Sequence, residues 1–268
     1  MTKKQVMGVF FIVCLVFSML VLWLQLTPNT QQRLTSNESY TVITSNYSGV
    51  SYDLYCPTES NGSLVIFAGG ILGHKRYLAG WAPILAERGY AVLTFTTPAE
   101  DLNHVSRYVH NCKNNIEALL PFVFDDDLFP ISINPDCVSI VGMSGGGATV
   151  LAFEDSRIQT TVAICPYYID DSSVDHDSPV LIITGSEDNI CPHDTHGLVY
   201  YDEIEPSKMI WEQADVGHDM SPAAWELLVE WLNCFGNSDD NDCSMFMGLS
   251  DDSGFVFTLS DFSNAPMA

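Results

Sequence analysis

Five short apolar runs, SLVIFAG, YAVLTFT, CVSIVGM, TTVAIC and PVLIITG, recur between residues 63 and 185. Each is continuous rather than alternating, which is the mark of a strand buried on both faces. Between and after them lie segments with apolar residues at helical spacing: YLAGWAPILAERG, HVSRYVHNCKNNIEALLPFV, GGATVLAF, HGLVYYDEI and SPAAWELLVEWLNCF. Strands of this kind alternating with helices specify a mostly parallel sheet covered by helices on both faces. Ahead of them, SYTVITSN and VSYDLYC alternate apolar and polar residues on either side of YSG and read as an antiparallel hairpin. With 268 residues and 47% hydrophobic composition, one globular domain is the simplest expectation.

In CVSIVGMSGGGATVLAF a strand runs into Ser144 and a helix leaves it. A serine held on such a sharp turn needs small neighbours two positions away, and Gly142 and Gly146 supply them. Gly145 can then offer its N–H to an oxyanion at the positive end of the following helix. A serine hydroxyl needs a base and an orienting group, which in this architecture follow in the order serine, acid, histidine. PVLIITGSEDNICP places Asp188 just after a buried strand, with Glu187 as a neighbouring rival and a helix cap near Pro192 as the purely structural role for Asp188. MIWEQADVGHDMSP places His218 in the loop before the last long helix, and Asp215 stands too close along the chain to orient it. Ser144, Asp188 and His218 are thus expected at the carboxyl ends of strands, on the edge where open α/β sheets carry their sites. The second oxyanion donor is expected in the glycine-rich loop FAGGILG: Gly70 first, with Ile71 next and in reach of substrate.

Composition excludes some functions. With 34 acidic residues against 10 basic ones, a nucleic-acid partner is not expected. The acidic excess with only five lysines fits saline surroundings or simply a very soluble secreted protein. Residues 6–24 carry no charge and are long enough to cross a membrane, preceded by Lys3 and Lys4. An uncleaved signal anchor over 1–26 is expected, or else a cleaved signal peptide, with a polar linker over 27–38 and an extracytoplasmic domain over 39–268. Sequons at Asn37, Asn46 and Asn61 fit that side of a membrane. Of eight cysteines, Cys234 and Cys243 flank the loop after the last helix and make the best disulfide; Cys165 and Cys191, after successive strands, make a weaker second pair. No metal is expected: His193, Asp194 and His196 read as a solvated helix start, and the acidic stretches DDDLFP and SDDNDC as solvated loops rather than calcium sites.

From about Tyr40 to Cys243 the chain resembles the α/β-hydrolase superfamily, and within it the branch of dienelactone hydrolases, cutinase-like polyester hydrolases and chlorophyllase-like esterases. The resemblance rests on VIFAGGILG, GYAVLTF, GMSGG, GSEDNICP and VGHDMSP, and on the paired carboxy-terminal cysteines. It implies hydrolysis of small or polymeric carboxylic esters through an acyl-serine, without a cofactor. Ser144 is then nucleophile, His218 base and acid, Asp188 the orienting carboxylate, and Gly70 with Gly145 the oxyanion hole. It also implies that Tyr167, after Pro166, walls the acyl pocket. In two places the chain departs from the branch. Met143 stands where the branch commonly has His, and Asp219 stands where polyester hydrolases usually have an aromatic. A carboxylate there favours the imidazolium and repels anionic substrates, which speaks against polyester cleavage. Only PYYIDDSSVDHDS separates TTVAIC from PVLIITG, too short for a cap domain, so the site is expected to be open. A monomer is expected. The rival readings are a non-catalytic binding ectodomain, or a thioesterase or peptidase of the same fold.

Overall fold

The computed structural model describes residues 33–71, 73–98, 104–125, 127–170, 176–205, 207–236, 243 and 246, and the backbone of 255–258. Its sheet has ten strands: β1 (Arg33–Ser36), β2 (Tyr40–Tyr47), β3 (Val50–Pro57), β4 (Leu64–Ala68), β5 (Ala91–Phe95), β6 (Val138–Met143), β7 (Thr160–Ile164), β8 (Val180–Gly185), β9 (Lys208–Gln213) and β10 (Phe255–Thr258). They lie in the order β1-β2-β3-β5-β4-β6-β7-β8-β9-β10. From β5 to β9 the neighbours are parallel, while β1, β2 and β3 at one edge and β10 at the other pair antiparallel. The helices are α1 (Ala82–Ala86), α2 (Val105–Val123), α3 (Gly145–Leu151), α4 (Gly197–Glu203) and α5 (Pro222–Phe235). This is the α/β architecture expected from the apolar runs, each of which forms a strand, and the α/β-hydrolase fold that the resemblance implies.

The central strands are apolar throughout because both of their faces are covered. In β4, Leu64, Ile66 and Ala68 point into one core layer, with Tyr108, Cys112 and Ile116 of α2. Val65 and Phe67 point into the other, with Leu85 of α1 and Trp225, Leu228 and Trp231 of α5. Helix α5 starts where Ser221 accepts a hydrogen bond from Ala224 N at 3.2 Å, with Pro222 in the first turn. The indole of Trp231 donates to Thr160 Oγ1 at 2.7 Å, which fixes α5 against the sheet.

Two edge strands lie outside the periodic pattern. The stretch read as a polar linker contributes β1, paired with β2 and fully exposed. At the other edge β10 pairs with β9. The sequons sit at turns that use their side chains: Asn37 Oδ1 accepts from Ser39 and Tyr40, Asn46 Oδ1 from Gly49 and Asn61 Oδ1 from Ser63.

The described lysines all turn inward. Lys75 is buried, bonding Asp53 Oδ1 and the Tyr52 carbonyl at 2.7 Å each. Lys113 donates to Ala152 O at 2.5 Å, and Lys208 to Ile204 O at 2.6 Å and to Tyr201 O. The apolar stretch 6–24 and the acidic loop 238–242 lie outside the described residues. Among the described residues no helix is long and apolar enough to cross a membrane.

Candidate active site

The chain runs outward from β4 to β5 on one side, then crosses to place β6 on the other side of β4. The crevice at the carboxyl ends of β4 and β6 is therefore the switch point of the sheet, where α/β folds bind ligands. Ala68 pairs with Gly142, so the loop after β4 and the turn after β6 emerge side by side.

Ser144 occupies that turn with φ 56° and ψ −118°, a conformation that side chains rarely adopt. Three backbone contacts hold it there: Ser144 N donates to Ile164 O at 2.8 Å, and Ser144 O accepts from Ala148 N at 3.0 Å and Tyr167 N at 3.1 Å. The glycines around it are required by contact as well as by curvature. A Cβ on Gly142 would stand 2.2 Å from Gly146 O, and one on Gly146 would stand 2.3 Å from Gly69 O. Gly146→Ala should accordingly cost about 3 kcal/mol by overpacking, read as a lowered urea midpoint at unchanged slope; a shift near zero would mean that the β4 loop yields easily.

The loop after β4 reaches the serine closely. A Cβ on Gly70 would lie 3.3 Å from Ser144 Cβ and 3.7 Å from its Oγ, and one on Gly145 would lie 3.5 Å from Ile71 N. Gly70 thus lies against the Ser144 side chain, and Ile71 N against Gly145. The residue beneath them, Tyr108, was not singled out from sequence, because on α2 it reads as one more core position.

Asp188 and His218 meet: Asp188 Oδ2 lies 2.6 Å from His218 Nδ1, with the carboxylate side chain fully buried and the imidazole 17% exposed. The other oxygen, Oδ1, accepts from Ile190 N and Cys191 N at 2.8 Å each. Asp188 thus pairs with His218 through one oxygen and closes its own turn through the other, while the helix after Pro192 takes no side-chain cap from it. Burial alone would raise the Asp188 carboxyl, but those two N–H groups and the His218 ring together hold it below its ordinary value. Glu187, the rival, is exposed. A close backbone approach allows the meeting, because a Cβ on Gly185 would stand 2.4 Å from both Val216 O and Gly217 O. Gln213, fully buried, ties the histidine loop down: its Nε2 donates to Thr184 O and Asp219 O, and its Oε1 accepts from Ser221 N at 2.7 Å. It was also missed, although a glutamine on a buried face of a strand is itself a signal.

Two thiols line the back of the site. Cys165 and Cys191 are both free, so the second disulfide considered from sequence is not formed. The reason lies in where each points. Cys191 follows the Asp188 turn and gives its N–H to Asp188 Oδ1, and burial raises its thiol to about 12. Cys165, with φ 43°, faces Asp188, and burial followed by that carboxylate raises its thiol far above the ordinary value. The disulfide Cys234–Cys243 is formed. Among the described residues Cys165, Asp188 and His218 are the trio whose ligand-type atoms come within 4.8 Å of one another, and the Asp188–His218 bond already engages two of them.

The rim is partly aromatic. Tyr167 packs its ring 4.9 Å from that of His196, whose Nδ1 accepts from Tyr168 N at 2.7 Å. His196 does stand at the start of α4, but its ring is bonded rather than solvated, and burial lowers its imidazole below the usual histidine value. His193 likewise bonds Thr184 Oγ1 at 2.8 Å. Ile190, 61% exposed, stands on the acid loop beside the pair. Asp219 is exposed and uses Oδ1 to accept from Met220 N at 2.7 Å.

Several characterised proteins resemble this chain at low identity. The chain is 25% identical over 171 residues to Lipase 1 of Moraxella sp. (strain TA144), covering 62% of this chain and 52% of the lipase. It is 25% identical over 160 residues to the cutinase est1 of Thermobifida alba, covering 58% and 52%. It is 24% identical over 159 residues to a bis(hydroxyethyl) terephthalate hydrolase of Streptomyces coelicolor (strain ATCC BAA-471 / A3(2) / M145), covering 58% and 50%. The chain spans about half the length of these curated relatives. The PET hydrolase-like family matches residues 29–255, most of the sequence, and the chain belongs to that family.

Proposed function

We propose that this protein is a serine hydrolase that cleaves carboxylic esters through an acyl-serine intermediate. The observation that carries the reading is the 2.6 Å pairing of buried Asp188 with His218, on loops at the same strand-end edge of the sheet as a serine held in a strained strand-to-helix turn. In this reading Ser144 Oγ attacks the ester carbonyl while His218 Nε2 takes its proton. Asp188 holds the Nδ1 proton and stabilises the imidazolium. Charge that develops on the carbonyl oxygen is met by N–H groups of Gly70 or Ile71 and of Gly145. Collapse expels the alcohol, which takes the proton from His218, and water then releases the acid by the same steps. No cofactor enters. Tyr167 and Ile71 border the acyl side, and Tyr168, at the start of the β7–β8 connection, donates to Glu203 of α4 at 2.7 Å. The substrates we favour are small neutral esters reaching an uncapped site. Asp219 disfavours anionic ones, and polyester cleavage is not part of the proposal. Residues 1–26 would anchor or export a monomeric domain outside the cytoplasm.

The test is turnover of short- and medium-chain p-nitrophenyl esters, together with labelling by diethyl p-nitrophenyl phosphate. One equivalent of label on the Ser144 peptide, with parallel loss of turnover, is expected. A folded protein that neither turns over nor takes the label overturns the reading and favours a binding ectodomain.

The rate should climb with pH, because an imidazolium cannot take the Ser144 proton. Asp188 should not add a second acid limb in the assay range, because its carboxyl is held below the ordinary value near 3.9. Its contribution to stability has the matching sign. It is fully present above the unfolded-state pKa and is lost only as pH falls through the lower folded value, so acid unfolding linked to this group belongs below about pH 4. A flat rate from acid to neutral pH would count against His218 as the base.

A further inference from the structure

We infer that Tyr108 is a positioning residue for the oxyanion hole, acting by locking the Gly69–Gly70 peptide; the inference rests on the ester-hydrolase reading. Tyr108 lies in the first turns of α2, buried to 3% exposure, and its hydroxyl donates to Gly69 O at 2.7 Å. Its ring lies against the hole from below. A Cβ on Gly145 would stand 3.0 Å from Tyr108 Cδ1, and one on Gly73 would stand 3.2 Å from its Cε2.

The physical argument turns on the planarity of the peptide. The carbonyl of Gly69 and the N–H of Gly70 belong to one plane and point in opposite directions, so fixing the first fixes the second. A peptide between two glycines has no Cβ on either side to resist a flip, and flipping it would aim Gly70 N–H away from where it now points. The next peptide is already pinned within the loop, because Gly70 O accepts from Gly73 N at 2.7 Å and so sets the direction of Ile71 N–H. Tyr108 does for the first donor peptide what Gly73 does for the second. Burial raises the phenol well above the usual tyrosine range, so the hydroxyl remains a donor throughout the working pH range. A hydrogen bond to Gly69 O also polarises the peptide and strengthens Gly70 N–H as a donor. Oxyanion donors act in proportion to how little they reorganise as charge develops.

Tyr108→Phe removes the hydroxyl and keeps the ring that supports Gly145 and Gly73. Rates are to be counted per active site, titrated with diethyl p-nitrophenyl phosphate, so that misfolded protein does not enter. We expect kcat for a p-nitrophenyl ester to fall roughly tenfold with KM within about twofold. The companion probe is an alkyl trifluoromethyl ketone. Its carbonyl carbon accepts Ser144 Oγ as the C=O π bond opens, the Oγ proton passes to His218, and the hemiketal oxyanion occupies the hole. Its inhibition constant should rise by about the same factor as kcat falls. A kcat within twofold of wild type overturns the inference while leaving the esterase reading intact. So does a loss confined to KM or to the melting temperature, with the ketone unaffected. An inactive, unlabelled wild type overturns both.

Discussion

Ser144→Ala should lower kcat/KM for p-nitrophenyl esters by at least about 10⁴-fold and leave the urea unfolding transition within about 0.5 kcal/mol of wild type. The chemical part of the loss is complete, because alanine has no atom to form the acyl bond; what survives is the background from the oxyanion donors and His218 acting on bound water. The structural part is small for a specific reason. The turn is held by backbone contacts, from Ser144 N to Ile164 O and from Ala148 N and Tyr167 N to Ser144 O, none of which uses the hydroxyl. Alanine at φ 56° carries the same backbone strain as serine, so the change neither relieves nor adds to it. Measured rates per folded molecule decide the matter: activity above about one percent of wild type would place the nucleophile elsewhere.

Asp188→Asn should cost about 10³- to 10⁴-fold in kcat while the protein stays folded. The two oxygens do separate jobs. Oδ1 receives Ile190 N and Cys191 N, and an asparagine keeps its carbonyl oxygen there because both partners are donors. That choice leaves the amide NH₂ facing His218 Nδ1. The ring must then accept at Nδ1 and carry its proton on Nε2, the nitrogen that has to take one from Ser144. The base is disabled by tautomer rather than by distance. Raising the pH cannot recover the rate, and this separates the variant from one that merely shifts an ionisation. A loss of less than tenfold across the pH range would show that His218 does not depend on this carboxylate.

How much of this could be read in the chain varies with the kind of interaction. The buried strands announce themselves because burial on two faces demands unbroken apolar runs. Ser144 was legible because its turn excludes side chains at Gly142 and Gly146, a demand that leaves glycines in the sequence. Asp188 and His218 were legible by order and by their place after strands, and exposure separates Asp188 from Glu187. The edge strand β1 was not, since RLTS is exposed at every position and joins the sheet by backbone pairing alone. Tyr108 and Gln213 act on backbone carbonyls and N–H groups, and such partners leave no complementary residue to find. Cys165 and Cys191 were placed correctly at strand ends but paired wrongly, because nothing in their spacing tells that the Cys165 thiol turns to Asp188 and both stay free.

The inward-turned lysines bear on how the protein would meet a solid. Lys75, Lys113 and Lys208 reach interior carbonyls and Asp53, so these cations, already counted in the net charge of −24, are engaged inside rather than offered to an anionic surface. Adsorption to a negatively charged film or particle is then governed by the thickness of the ionic atmosphere, about 10 Å at 0.1 M salt and about 3 Å at 1 M. Such adsorption is therefore expected to be weak in dilute buffer and to strengthen in brine.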